Sequence, residues 1–364
     1  MREDEGQVLP PTPTCNMKLD EHLRDRLHSS GRYSLTDEEN KTIKFQGLEE
    51  FIFKKLTSTK FRKTSLDPES AKQIREAIRL NLSRRQPIKF TYPFGGYKIW
   101  RVPTYPSVDW AEFFTLAFVT RYVAPVVNAY DPGAEIFFSS DDVVIEQIDN
   151  YPRAALDEYV DSFKSLLAQF TQYLPDNLHI KFVQVVPDIY SPAAYRRELQ
   201  TLYRSLKTTG LSPDRQTKIR KGFDFNFMVK GKVDFSGRKT AMAKTIQDLI
   251  YYSDAYLQLA KRRDFVRGQD KIVIFSNKIP NAVDIGSTSV SKAKFWAGIG
   301  VVESAAGKYY ERVMSPNQWE ATRKWVRQET VDLIKGPNFS RIPVFDQRFD
   351  FLSNPSHLHH TSGV

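Results

Sequence analysis

The sequence predicts an α/β fold, Rossmann-like, with a mostly parallel sheet and helices on both faces. Two observations predict it. Short apolar stretches such as IKFTY, AEIFF and KIVIF alternate with long helical stretches, which is the pattern of strand–helix–strand units. Several of these stretches are apolar throughout and not alternating, as expected of strands covered on both sides.

Taken in order, residues 1–40 are rich in Pro, Thr, Asp and Glu with little periodicity and are expected to form a disordered tail. The folded domain is expected over 41–345, with a flexible tail over 346–364. Helical material begins at Leu48 to Leu56. Asp67 as N-cap with Pro68 at the first helical position opens the next helix, with Ile74, Ala77, Ile78 and Leu82 on its apolar side. A strand from Ile88 leads into Gly95 and Gly96. The helix opening at Asp109 carries Phe113, Phe114, Leu116, Phe118, Tyr122, Val123, Val126 and Val127, too apolar for a surface helix, so it must be largely buried.

A turn at Asp131-Pro132-Gly133 precedes the strand AEIFFSS. Leu156, Val160, Phe163, Leu167 and Phe170 place a helix over Pro152 to Tyr173, followed by strand HIKFVQVV. Ser191-Pro192 and Ser212-Pro213 cap two more helices. GFDFNFMVKGKVDFSG is less regular and fits a hairpin or a lid. A helix over Arg238 to Lys261 leads to strand Lys271 to Phe275, and the last part holds strand-like FWAGIGVV, a turn at Ala306-Gly307-Lys308, and a helix from Pro316 to Ile334 capped by Ser315.

The bulk numbers bound the function. The chain has 364 residues, with 41% hydrophobic and 13% aromatic, enough to bury a sizeable core. No apolar run approaches the roughly 18 to 20 residues that cross a bilayer, and the acidic opening segment lacks the apolar core of a signal peptide. A cytoplasmic protein without membrane partners is therefore expected. The single Cys15 allows no internal disulfide, and no Cys/His spacing suggests zinc. The net charge of +10 is compatible with anionic partners, but the basic residues are interleaved with acids and apolar positions, as on solvated helix faces, and no nucleic-acid motif is present. The expected partners are small molecules.

Three motifs bear on chemistry. PFGGYK places Gly95, Gly96 and Lys98 just after a strand, where glycines allow close approach of a phosphate and a lysine supplies countercharge. It lacks the spacing of a nucleotide-binding loop and reads equally as a bare turn. VDWAE sets Asp109 and Glu112 three apart, either as acid and base, as amine-binding carboxylates, or as a capping box. SSDD, Ser139 to Asp142, ends a strand in polar residues where α/β sheets present ligand-binding side chains, and where any strand turns polar to leave the core. SSDD is also similar to the acidic pair of metal-dependent sugar transferases, but no second acidic cluster has fitting spacing, so no metal is expected. The three histidines of HLHH near the C-terminus read as a tail.

In their common order, these motifs resemble the isocyanide (isonitrile) synthase family, of pyoverdine and dityrosine biosynthetic type. VDWAE followed by YDPGAEIFFSSDDVV is similar to that family's acid-capped helix, Tyr-Pro-Gly-Ala turn and Ser-Asp-Gly strand end. RKTAMAKTIQDLIYYSDAYLQLAKRRDFVRGQDKIVIFS resembles its long helix and following strand, and FWAGIGVVES resembles the strand after that. The likeness covers three blocks between about residues 85 and 310. Asp142 stands where the family has glycine, Tyr252-Ser253 where it has Arg-Ser, and Ser276 or Asn277 where its strand carries histidine.

The resemblance implies a biosynthetic enzyme without cofactor or metal. It would condense the amine of a tyrosine- or tryptophan-like amino acid with the ketone of ribulose 5-phosphate, the sugar carbon becoming the isonitrile carbon. Such a reaction needs an anion cradle and a general acid or base. Lys98 and Lys294 are the candidates for anion binding, helped by Gly95 and Gly96. Asp109, Glu112 and Asp141 are the candidates for proton transfer or amine recognition. Ser140 and Asp142 are the candidates for hydrogen bonds to substrate.

Overall fold

A computed structural model of the chain describes residues 13–62, 64–140, 142–149, 151–226, 246–262, 268–275, 282–285, 295–305 and 307–346. The N-terminal part departs from the expected tail. Helix α1 spans Pro13–His28 and buries Leu19, Leu23 and Leu27, which share one face at i, i+4 and i+8. Thr36 and Glu39 then form a capping box at the start of α2, Asp37–Gln46. Helices α3, Leu48–Leu56, and α4, Pro68–Ser83, follow where the sequence places them, and Asp67 caps α4 through the Ser70 amide.

The strands β1 (Ile88–Phe94), β2 (Ala134–Ser140), β3 (Leu178–Gln184), β4 (Lys271–Phe275) and β5 (Ala282–Asp284) form one parallel sheet in the order β3-β2-β1-β4-β5. Helices flank this sheet, so the expected α/β Rossmann-like class is the observed one. From β1 the chain steps outward to β2 and β3, then returns to the other side of β1 for β4 and β5. The reversal lies between β1 and β4. In open α/β sheets the loops diverge at such a point and leave a crevice at the carboxyl ends of the strands.

Helix α5, Trp110–Ala129, buries sixteen of its residues. A second sheet explains why so apolar a helix has no solvent face. Strands β6 (Ile299–Ala305), β7 (Lys308–Met314), β8 (Val326–Thr330) and β9 (Arg341–Asp346) pair in the order β7-β6-β9-β8, antiparallel except for β6 with β9. This sheet packs on α5 from the side opposite the parallel sheet. A Cβ at Gly300 in β6 would come within 2.2 Å of the Ala111 nitrogen, and the Trp110 indole N–H donates to the Arg341 carbonyl at 2.8 Å. Each large apolar side chain enclosed this way stabilises the fold by about 1.5–3 kcal/mol.

This mixed sheet corrects the sequence reading in one place. The helix expected from Pro316 to Ile334 is only α11, Pro316–Thr322, with Ser315 as its cap, and β8 follows after one 3₁₀ turn. The apolar residues Trp325, Val326 and Val331 that gave a helical impression lie in that turn, in the strand and just after it.

Between β2 and β4 lie α6 (Asp142–Asp149), α7 (Arg153–Phe170), α8 (Pro192–Thr209), α9 (Pro213–Asn226) and α10 (Ile246–Arg262). The last three build a core of their own from Tyr195, Leu199, Tyr203, Ile219, Leu249 and Ala255 among others, and meet the sheet through Ile148 of α6 and Val186 after β3. They therefore stand at the carboxyl end of the strands. Of GFDFNFMVKGKVDFSG, residues 222–226 close α9 and the remainder lies outside the described residues. No described helix is long and apolar enough to cross a membrane.

Candidate functional site

The site is built from the segments that leave β1, β2 and β5. After Phe94 the chain passes through Gly95 and Gly96. Gly96 has φ +71°, a left-handed conformation that glycine adopts without strain. A Cβ at Gly95 would lie 2.3 Å from the Tyr97 ring and 3.2 Å from the Trp296 indole nitrogen. The missing side chain thus makes room for Tyr97, whose ring packs 4.7 Å from that of Tyr151. Turning Tyr97 this way directs Lys98 inward.

Lys98 is 1% exposed. Its ammonium donates to Glu112 Oε2 at 2.9 Å and Oε1 at 3.1 Å, lies 3.1 Å from Asp109 Oδ1, and reaches the Phe295 carbonyl at 3.4 Å. Asp109 is the N-cap of α5 and Glu112 completes the capping box: Asp109 Oδ1 accepts the Ala111 amide at 2.6 Å, and Glu112 Oε2 accepts the Asp109 amide at 2.9 Å. Asp109 also accepts the Thr104 hydroxyl at 2.6 Å and the Gly300 amide at 3.2 Å. Tyr159 of α7 places its hydroxyl 3.2 Å from Glu112 Oε1. The two carboxylates therefore cap the helix and bind the lysine at once.

The electrostatics follow from enclosure. Burial pushes the Glu112 carboxyl up to about 8, with the Asp109 charge adding to the rise and the Lys98 ammonium opposing it. Desolvation of a carboxyl in this dry interior is what favours its neutral form. Burial likewise raises the Tyr159 and Tyr97 hydroxyls, and Asp149 and Tyr151 act in the same direction on Tyr97. Lys98 is not presented to solvent as an open anion cradle would require. Its countercharge is already supplied from within the chain.

Other polar groups at this edge have no such partners. Ser139 and Ser140, the last residues of β2, are buried, and neither hydroxyl oxygen has a hydrogen bond among the described residues. Ser140 shares a sheet face with Phe138 and pairs in register with Phe94, beside the aromatic cluster of Phe94, Phe138, Phe163 and Phe295. Ser139 points to the opposite face. Asp284, the last residue of β5, is 6% exposed and its Oδ1 is also without a partner among the described residues.

No protein-family model matches the sequence, and no curated protein matches it. Among solved structures, the crystal structure of the PvcA protein from Pseudomonas aeruginosa superimposes with a TM-score of 0.52. The match has 16% identity and covers 82% of this chain and 99% of that one. The fold is similar to that of PvcA.

Of the sequence-derived candidates, the structure brings Lys98, Asp109 and Glu112 into one cluster and sets Gly95, Gly96 and Ser140 on neighbouring strand ends. Asp142 is the first residue of α6, and Asp141 and Lys294 lie outside the described residues. Sequence reasoning missed Tyr159 and Asp284. Tyr159 was hidden in the apolar stripe of α7. Asp284 lies in a three-residue strand, too short to show a period, and the only signal was a carboxylate inside the apolar run AVDI.

Proposed function

We propose that this protein is a biosynthetic enzyme of isonitrile-synthase type, acting at the carboxyl edge of its parallel sheet. It joins the amine of a tyrosine- or tryptophan-like amino acid to ribulose 5-phosphate and forms an isonitrile from the sugar's ketone carbon. The observation that carries this reading is the pair of buried, unpartnered hydroxyls of Ser139 and Ser140 beside the strand crossover. Buried polar groups left without partners are rare, and a bound ligand is one way to satisfy them; the carboxyl edge of the sheet is where α/β folds bind one. The ordered sequence motifs, which resemble the isonitrile synthase family, support the same reading, and the fold similar to that of PvcA is compatible with it.

In this proposal Ser140 hydrogen-bonds substrate, and the aromatic cluster beside it suits an aromatic side chain. Lys98 and Asp109 hold the loop after β1 and set the protonation of Glu112. Glu112, a carboxyl poised at about 8, is matched to proton exchange near neutral pH. Gly95 and Gly96 shape the turn.

The test is incubation of the purified protein with aromatic amino acids and ribulose 5-phosphate carrying ¹³C at the ketone carbon, followed by mass spectrometry and ¹³C NMR. A labelled isonitrile lost in Ser140→Ala is the expected result. Binding of both substrates with no labelled product under any condition would leave a small-molecule-binding protein on an enzyme fold and sink the catalytic reading.

A further inference from the structure

The carboxylates fall into two groups by what surrounds them. Asp109 and Glu112 are consumed by Lys98, by two backbone amides of their own helix start, and by the Thr104 and Tyr159 hydroxyls. Neither has a charge left for a ligand. Asp284 stands apart: it is buried, its Oδ1 has no hydrogen-bond partner among the described residues, and it closes the strand next to β4 at the carboxyl edge.

Register fixes which way it faces. Asp284 pairs with Phe275, Val273 with Thr91, Thr91 with Phe137, and Pro93 with Ser139. Side chains alternate along a strand, so Asp284 shares a face with Ser139 and lies opposite Val283 and Ile285, which belong to the main core. Among the described residues, Arg62 bridges through its backbone to Ile285, next to Asp284. Its guanidinium is spent on the carbonyls of Thr57 and Thr64.

A buried carboxylate without a partner is costly unless something else supplies the donors and the charge. A carboxylate only accepts hydrogen bonds. A neutral hydroxyl would supply a donor and leave the charge unbalanced, whereas an ammonium supplies both. We propose that Asp284 is the residue that receives the ammonium group of the amine substrate, at the carboxyl edge of the sheet, on the Ser139 face and across the crossover from β2. The inference rests on the amine-consuming reading above and adds the residue that recognises the amine. It moves that role away from Asp109 and Glu112, which the structure occupies otherwise.

Calorimetric titration of the full chain and of Asp284→Asn tests it, with L-tyrosine, L-tryptophan, tyramine, the aliphatic amine agmatine and the desamino compound 3-(4-hydroxyphenyl)propionate as probes. The wild type should bind at least one amine about 10-fold or more tighter than the desamino compound. Asp284→Asn should lose roughly 10- to 100-fold for that amine and nothing for the desamino compound, the range expected for a charge-assisted hydrogen bond. The melting temperature of Asp284→Asn should equal or exceed that of the wild type, because an unpaired buried charge has been removed. If the asparagine variant does not fold, Asp284→Ser is measured in its place.

Equal amine affinity in wild type and variant overturns the proposal, as does wild-type binding that ignores the amine. Asp284-dependent binding of tyrosine without isonitrile formation, or of agmatine alone, supports the ammonium subsite and counts against the synthase reading. A labelled isonitrile with unchanged yield in Asp284→Asn does the reverse.

Discussion

Glu112 and Lys98 make opposite predictions although they touch. Glu112 Oε2 accepts from the Asp109 amide and Lys98, and the Tyr159 hydroxyl, which donates to Oε1, can turn to accept a carboxyl proton when Glu112 is neutral. Glu112→Gln reproduces that pattern, so it should change stability by less than about 1 kcal/mol at pH 7 by urea unfolding. Lys98→Met leaves Asp109 buried without its cation and should cost about 3–5 kcal/mol. The folded-state value of Glu112, about 8, lies above its ordinary carboxyl value. Its contribution is thus fully present below the ordinary range and is lost as pH rises toward 8. Unfolding measured at pH 5, 7 and 9 should show that loss in the wild type and a shallower one in Glu112→Gln; equal slopes would mean the carboxyl is already ionised. The sequence made the residue types and the capping box legible. It did not show that Lys98 turns inward, because that depends on Tyr97 filling the space over Gly95 and on Phe295, almost two hundred residues away, supplying a carbonyl.

At the scale of elements, α1 is held by more than its leucines. Arg26 and His22 both reach Glu311 of β7. Burial works against the charged form of Glu311, yet the His22 hydrogen bond and the Arg26 guanidinium bring the carboxyl down to about 2. A value held below the ordinary range gives stability that is present above that range and lost as pH falls toward 2. Glu311→Gln should therefore loosen α1, on the order of 2 kcal/mol after allowance for partial exposure, and speed tryptic cleavage at Arg24 and Arg26 at pH 7. Unchanged cleavage would show that Leu19, Leu23 and Leu27 hold the helix alone. Gly300→Ala belongs to the same scale. Its Cβ meets backbone of α5 that cannot give way, so the junction of β6 and α5 should lose about 3 kcal/mol or more. Caps and long amphipathic helices were readable from sequence because their signals are local. The part of the expected tail that is α1, and the part of the expected helix that is β8, were misread because what holds them is distant in sequence: Glu311 binds Arg26 and His22 of α1, and β9 pairs with β8.

Across the whole molecule, the two sheets share one core through α5, whereas α8, α9 and α10 keep a separate one. The parallel class was legible, since strand–helix alternation dictates it, whereas the strand order and its crossover came only with the structure. The second sheet was not legible, because its strands pair across long separations, and α5 alone hinted at it by having no polar side. Two cores joined through Ile148 and Val186 should not open together. A lobe with few links to the main core opens below the global unfolding free energy, and this one stands over the proposed binding edge. Leu199→Ala, a change in the core of that lobe, should cost about 2–5 kcal/mol there. By hydrogen exchange it should lower protection in α8 and α10 and leave β1, β2 and β6 unchanged. Loss of protection in the sheets as well would mean that the lobe and the sheets form one cooperative unit, and that ligands reach the strand ends without the lobe opening first.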